Sequence, residues 1–296
     1  MFRCPPTSCF LLSPPHLDLS ASIIMPLLNV MGVNINFPFK PYECQKDYMK
    51  KVITCLQENQ NGLLESPTGT GKTLCLLCST LAWLQDYKAQ VALKKQGRVQ
   101  EFGESSKDEG NIVLDSLSNQ LTTSTGASWG EAQEFVAPKI IYASRTHSQL
   151  TQVVQELKRS AYSSVNVSIL GSRDQLCVNS QVKKETNKAD KVLMCRAKVN
   201  NRTCRFYNKL DELKRTGDPR KATGNIVDIE DLVTIGVQHK LCPYYLSIDL
   251  KKDADIIFMP YNYLLDPKSR KSNGVELKGN VIIFDEAHNL VSSFAS

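Results

Sequence analysis

An α/β fold built on a parallel sheet is predicted by three features of the sequence. Short apolar runs recur at residues 62–65, 139–143, 165–170, 255–259 and 281–284, and helix-period segments such as 149–158 lie between some of them. The last of these runs ends abruptly in two carboxylates, as a buried parallel strand does when it delivers acids at its C-terminal edge. The first run leads into a glycine-rich turn that opens a second apolar, helix-like stretch, residues 74–78.

That turn reads Ser66, Pro67, Thr68, Gly69, Thr70, Gly71, Lys72, Thr73. Strand, loop and helix in this order form a phosphate-binding loop. Gly69 and Gly71 let backbone N–H groups curl around a polyphosphate. Lys72 reaches the β- and γ-phosphates, and the Thr73 hydroxyl ligates magnesium at the positive end of the helix. ATP or GTP is the expected ligand. Ser66 replaces the first glycine of the general Gly-x4-Gly-Lys-Ser/Thr pattern, which fits helicase-type loops better than small GTPases. The run 281–284 ends in Asp285, Glu286, Ala287 and His288. Asp285 is placed to hold the magnesium shell, Glu286 to orient and deprotonate the attacking water, and His288 to couple the nucleotide to neighbouring elements. Acids at a strand end are a weak signal alone and a strong one when paired with Lys72. The pair makes the expected fold a RecA-like P-loop NTPase, and the Asp-Glu-Ala-His box points to superfamily 2 helicases.

The chain has 296 residues and 42% apolar content, enough for one large core or one core with an inserted subdomain. No apolar run approaches the ~18 residues of a membrane span, so no membrane partner is expected. Residues 1–24 carry one basic residue and a short apolar stretch broken by Pro14 and Pro15. This pattern argues for a disordered extension over a secretory leader, with Met25 as an alternative start. Ten cysteines beside a nucleotide site imply metal ligation and core packing in a reducing compartment rather than a disulfide framework.

Two stretches interrupt the strand-helix alternation. Residues 89–138 are rich in Gly, Ser, Thr, Gln and charge without a sustained period, and read as a mobile surface loop. Residues 171–246 hold Cys177, Cys195, Cys204 and Cys242 in polar, basic surroundings. Four thiolates suit tetrahedral zinc or a cubane iron-sulfur cluster, and their spacing does not choose between the two. Cys75 and Cys78, although spaced C-x-x-C, fall one turn apart on the apolar helix after the phosphate loop, where core packing is the better explanation. Between Arg173 and Lys221 fourteen Lys/Arg face six Asp/Glu, a net of +8 in a chain whose total is +6. Such a block suits a nucleic-acid backbone, and it equally offsets the charge of a thiolate cluster. Phe206, Tyr207, Tyr244 and Tyr245 are candidate platforms for stacking single-stranded bases.

A set of ordered motifs carries a resemblance. It comprises Phe37-Pro38-Phe39-Lys40-Pro41-Tyr42 with Gln45, the loop Ser66 to Thr73, Ser144-Arg145-Thr146-His147-Ser148-Gln149, Gly171-Ser172-Arg173-Asp174-Gln175-Leu176-Cys177, Leu241-Cys242-Pro243-Tyr244-Tyr245, Tyr261-Asn262-Tyr263-Leu264-Leu265-Asp266 and the box at Asp285. Together they resemble the iron-sulfur DNA helicases of superfamily 2, from about residue 25 to 289 apart from 89–138.

The resemblance implies a parallel-sheet motor domain with an inserted, mainly helical iron-sulfur domain. Residues 25–170 would be the first part of motor domain 1, 171–246 the insertion, 247–289 the remainder, and 290–296 a non-family tail. Gln45 would read the adenine edge of ATP. Arg145, Thr146 and His147 would lie along the DNA backbone, with 261–266 a strand-to-helix segment near the DNA path. Cys177, Cys195, Cys204 and Cys242 would hold a 4Fe-4S cluster whose task is architectural, fixing a domain that helps separate the duplex and guides one strand. ATP and Mg2+ are the other implied cofactors. Family members move 5′ to 3′ on single-stranded DNA and work in the nucleus on telomere loops, recombination intermediates and G-quadruplexes. The implied partners are single-stranded and structured DNA, with replication or repair proteins that the sequence does not name. The family continues through an arch insertion and a second motor domain bearing an arginine finger. An N-terminal fragment is therefore expected, either part of an ATP-dependent helicase in telomere maintenance, repair and recombination, or a catalytically inactive form that binds DNA or partners.

Overall fold

The structure is a computed structural model that describes residues 27–101 and 137–290. The expectations for residues 1–24, for most of the surface loop and for the tail beyond Leu290 fall outside the described residues. The chain divides into two compact units, Met1–Trp83 with Pro138–Ser296, and Leu84–Ala137.

In the larger unit four parallel strands form a sheet of order β4-β5-β3-β6: β3 Ile140–Ser144, β4 Val167–Ile169, β5 Ile256–Pro260 and β6 Val281–Phe284. Every residue of β3, β4 and β5 is buried, which is why these runs are apolar throughout instead of alternating. β3 lies between β5 and β6, with Tyr142 opposite Phe258 on one side and Ile283 on the other. Its C-terminal end therefore adjoins the ends of both neighbours, where an open α/β sheet carries its site. These four strands match the expected runs within a few residues.

The fifth expected strand does not form. Residues 62–65 join no ladder, and Leu63 is 76% exposed. Two leucines between Gly62 and Glu65 are too few to cover both faces of a central strand. A hairpin that the pattern analysis did not anticipate precedes them: β1 Leu27–Val30 and β2 Val33–Asn36 pair antiparallel around Met31 and Gly32. Both turn residues have positive φ, as a two-residue hairpin turn of matching twist requires. Helix α1, Glu43–Gln57, holds that turn through Gln57 Nε2, which donates to the Met31 carbonyl at 3.1 Å.

Helix α2, Lys72–Glu101, corrects the expected extent of the surface loop, because residues 89–101 are helical. The segment lacks an amphipathic period, yet Ala, Gln, Leu, Lys and Arg dominate it, and summed propensity favours a helix. Among the described residues no helix is long and apolar enough to cross a membrane.

Helix α3, His147–Arg159, crosses from β3 to β4. Between β4 and β5 the chain is mainly helical: α4 Arg173–Leu176, α5 Ser180–Lys184, α6 Lys188–Asn200, α7 Arg205–Thr216, α8 Arg220–Thr223, α9 Ile229–Gln238 and α10 Pro243–Leu250. Ser172, Asn179, Asn187 and Asp228 cap four of these with their side chains, so the short helices start where local polar residues satisfy their first N–H groups. Ser168 Oγ donates to the Ser247 carbonyl at 2.9 Å and joins α10 to the sheet. After β5 come α11 Tyr261–Leu265 and α12 Pro267–Ser272, so the expected strand-to-helix segment is helical from Tyr261 onward.

Close approach of α9 and the start of α10 depends on Gly236. A Cβ there would sit 2.3 Å from Pro243 Cγ and 3.0 Å from the Leu241 carbonyl oxygen. Gly236→Ala should therefore cost about 1–3 kcal/mol of overpacking. Gly217→Ala, whose nearest neighbour would be 4.0 Å away, serves as the control. Thermal denaturation of both variants decides it, since equal melting temperatures would mean that α9 and α10 are not this close.

Candidate functional site

The phosphate loop is shaped by its two glycines. Gly69 and Gly71 have φ of +78° and +73°, a left-handed conformation that side chains rarely adopt. Inside the loop Ser66 Oγ lies 2.8 Å from Thr70 Oγ1, and Thr70 Oγ1 donates to the Pro67 carbonyl at 2.9 Å. Lys72 Nζ donates to the Ser66 carbonyl at 3.0 Å. Because α2 begins at Lys72, Thr73 stands in a first turn whose N–H groups have no helical acceptor. Gln45 comes from α1. Its Nε2 donates to the Thr70 carbonyl at 3.0 Å and its Oε1 accepts from the Tyr42 N–H at 2.9 Å, so both ends of the amide bind protein.

The acid pair arrives from β6. Asp285 N–H donates to the Ala143 carbonyl at 2.9 Å and extends the ladder one residue beyond the strand. Glu286 then adopts a left-handed conformation, φ 52° and ψ 46°, and turns the chain into a short 3-10 helix, Ala287–Asn289. For a non-glycine residue such a conformation costs about 1–3 kcal/mol and is retained where the surroundings enforce it. It brings Glu286 Oε1 to 4.0 Å from Lys72 Nζ, so the loop and the acid pair meet. Burial, reinforced by Glu286, raises the Asp285 carboxyl above its usual range against the opposing pull of Tyr142 and Lys72. His288 is largely exposed, with Nδ1 3.4 Å from Glu286 Oε2.

Three tyrosines surround the acids, and sequence reasoning missed all three roles. Tyr261 Oη donates to the Asp285 carbonyl. Tyr48 on α1 has its phenol pushed up to about 12 by burial and then by Cys75, Asp285 and Glu286. Tyr142 stands in the middle of β3, fully buried, with Asp285 and Thr73 beside its hydroxyl. An aromatic within an apolar run carries no signal of this; only the pairing of β3 with β6 does.

Arg145, Thr146 and His147 follow β3 directly. Arg145 and Thr146 are exposed. Thr146 Oγ1 accepts the Gln149 N–H at 3.3 Å as the cap of α3, so its hydroxyl serves the fold. Arg145 Nη1 reaches Asn289 Oδ1 at 3.5 Å, and Asn289 Nδ2 donates to the Glu286 carbonyl at 3.2 Å, which links this segment to the acid box.

The four insertion cysteines come together. Cys177 follows α4, Cys195 lies within α6, and Cys204 and Cys242 occupy the caps of α7 and α10. All four are buried and line one small recess of about 10 Å³ with Val178, Val182 and Phe206. Asn179 Nδ2 points at Cys204 Sγ, 3.6 Å away. Burial raises the Cys177 thiol and pushes Cys242 up to about 12. Among the described residues no group of three or more His, Cys, Asp or Glu is arranged to hold a metal ion. Cys75 and Cys78 are buried in α2, as core packing requires.

The basic block is partly committed to local pairs. Asp211 receives Arg202 and Arg215, both at 2.6 Å, Lys214 pairs with Asp249 at 3.0 Å, and Lys191 pairs with Asp174. Two of the expected stacking platforms are also unavailable, because Phe206 and Tyr244 are buried. Tyr244 packs between the Arg173 guanidinium, 4.0 Å above its ring, and Tyr245. Tyr207 and Tyr245 stay partly open.

His147 provides a test of the α3 start. Burial lowers its imidazole from the ordinary 6.5 to about 4, and Nδ1 has no hydrogen-bond partner. The unfolded chain therefore binds a proton between these two values that the folded chain refuses, so stability falls as pH drops from about 6.5 towards 4. The NMR titration midpoint of this ring should lie near 4, and His147→Gln should flatten the stability profile over that window. A midpoint near 6.5 would show a solvated ring.

The chain is similar to known proteins. Residues 43–217 match the DEAD/DEAH box helicase family and residues 142–296 match the DEAD_2 family. Regulator of telomere elongation helicase 1 from Bos taurus is 52% identical over 274 residues, which is 90% of this chain and 21% of that protein. The Homo sapiens protein of the same name is 49% identical over 267 residues, with coverage of 90% and 21%. The Aedes aegypti homolog is 48% identical over 276 residues, covering 90% and 26%. The chain thus spans about a fifth to a quarter of the length of these relatives. Two solved chains named Truncated XPD and XPD_Helicase align over 82% and 85% of this chain and 52% and 33% of their own, at 22% and 21% identity with TM-scores of 0.46 and 0.48. The family matches together run from Glu43 to the last residue, and on them the chain belongs to the DEAD/DEAH box helicases, within which it is similar to regulator of telomere elongation helicase 1.

Proposed function

We propose that this chain forms the nucleotide-binding part of an ATP-dependent DNA helicase that moves 5′ to 3′ on single-stranded DNA and carries a 4Fe-4S cluster in its helical segment. The observation that carries the reading is the approach of Lys72 and Glu286 to 4.0 Å, which sets the phosphate loop against the acid pair. Lys72 exchanges its bond to the Ser66 carbonyl for the β- and γ-phosphates, and the N–H groups of the loop and first turn of α2 take the remaining oxygens. Thr73 and Asp285 would hold magnesium, which would supply charge neutralisation for the developing phosphate charge. Glu286 orients the attacking water, and His288, facing Glu286, passes the state of that water to neighbouring elements. Gln45 reads adenine once its amide leaves the Thr70 carbonyl.

The buried donor set supports the cluster. Four buried thiols lining one recess are a donor set that suits an iron-sulfur cluster. Residues from α4, α6, α7 and α10 would then share one anchor, which makes the cluster architectural. Exposed Arg145 and the unpaired part of the basic block supply backbone contacts to single-stranded or structured DNA. Similarity to telomere elongation helicases supports a nuclear role in telomere maintenance, repair and recombination.

Two measurements test these assignments. Residues 1–296 assayed alone should bind magnesium-ATP, and Lys72→Ala should abolish the binding. Turnover by this polypeptide should stay near background, because the proposed cycle takes an arginine finger worth ~10^3 to 10^5 in rate from a second motor domain. DNA-stimulated hydrolysis by residues 1–296 would contradict that part. Protein purified without oxygen should be brown, with thiolate-to-iron absorbance near ~400 nm. Cys204→Ser should bleach it and Cys75→Ser should not, whereas colourless protein holding stoichiometric zinc would overturn the cluster assignment.

A further inference from the structure

Tyr142 is the residue of the sheet whose chemistry the fold does not use. It is fully buried, and its ring packs against Phe258 with centroids 5.4 Å apart. A phenylalanine would fill that volume equally well. Yet the hydroxyl is one of four buried side-chain polar atoms, among the described residues, that have no hydrogen-bond partner. Leaving such a group unpaired in the interior costs about 1–3 kcal/mol. The polar side chains beside it are Asp285 and Thr73, close enough to act on it, although neither completes a hydrogen bond of ordinary geometry. The placement follows from register, since Tyr142 pairs with Ile283 and Asp285 lies two residues further along β6. Tyr261 holds only the Asp285 backbone carbonyl and leaves the carboxylate to be oriented by other groups.

We infer that Tyr142 is a positioning residue for the magnesium site, bridging its two protein ligands from the buried side. Its O–H donates to one carboxylate oxygen of Asp285 and leaves the other facing the cation. Its oxygen accepts the Thr73 hydroxyl proton, which turns the free lone pairs of Thr73 Oγ1 towards the same point. With magnesium held, Thr73 and Asp285 would stand in their bonding positions, and the hydroxyl would find the partners it lacks here. The donor set fits the ion, because a carboxylate and a hydroxyl are hard oxygen ligands. This inference rests on the nucleotide reading given above.

The test compares residues 1–296 with Tyr142→Phe, using a fluorescent ATP analogue titrated with and without magnesium. Tyr142→Phe should raise the magnesium concentration for half-maximal binding about ten-fold, the worth of one hydrogen bond to a charged group. Metal-free nucleotide affinity should not change, and the melting temperature of the ligand-free protein should be equal or higher, because the variant loses an unpaired polar atom. An unchanged magnesium requirement would overturn the inference while leaving nucleotide binding intact. A lowered melting temperature, with magnesium-dependent and metal-free binding reduced alike, would make the hydroxyl structural and also overturn it. A parent chain that binds no analogue at any magnesium concentration would instead defeat the nucleotide reading, and the inference with it.

Discussion

Everything at the site hangs from the burial of β3. Its five residues have no contact with solvent, it is paired on both sides, and neither face can slip without carrying a set of apolar side chains out of the core. The Ala143 carbonyl takes the Asp285 N–H, so the first acid is placed by a strand that cannot move. Arg145 and the cap of α3 follow from the same strand end, and Tyr142 reaches under the acid from its middle. Packing energy spread over the sheet is thus converted into the position of a few polar atoms.

Those polar atoms are held in arrangements that cost stability. Glu286 is left-handed, Asp285 is a half-buried acid beside another acid, and the Tyr142 hydroxyl is unpaired. Each would be relieved by a substitution that leaves the core intact. Their clustering within one corner of the sheet is the signature of a site arranged for a charged ligand rather than for the folded state. The loop meets the same condition differently: Lys72 and Gln45 bind loop carbonyls, so its charge and donors are satisfied by bonds that phosphate or base edges can replace.

The helical segment follows another logic. Most of its helices are short and four start at side-chain caps, while α10 buries Pro243, Tyr244, Leu246, Ser247 and Leu250. Burial is concentrated where the four cysteines, Val182, Phe206 and the Arg173–Tyr244–Tyr245 stack meet. The recess lined by these thiols lies at that point, where the proposed cluster would tie α4, α6, α7 and α10 together.

Local chemistry was legible in the sequence wherever function needs particular atoms at short spacing. Lys72 and Thr73 after two glycines, the acids closing an apolar run, and the three fully buried strands could be read because a phosphate loop and a doubly covered strand each restrict composition over only a few residues, whereas β6, expected to be buried, leaves Ile282 exposed at the sheet edge. Tertiary structure decided what depends on partners distant in sequence. Residues 62–65 have the composition of a strand but no ladder, and residues 89–101 look like loop but are helix by propensity. Phe206 and Tyr244 carry aromatic faces that the fold buries. The gathering of Cys177, Cys195, Cys204 and Cys242 spans 65 positions of chain and belongs to no local period. Tyr142 is the clearest case: its neighbours in sequence are all core, and only the register of β3 against β6, a long-range pairing, puts its hydroxyl between Thr73 and Asp285.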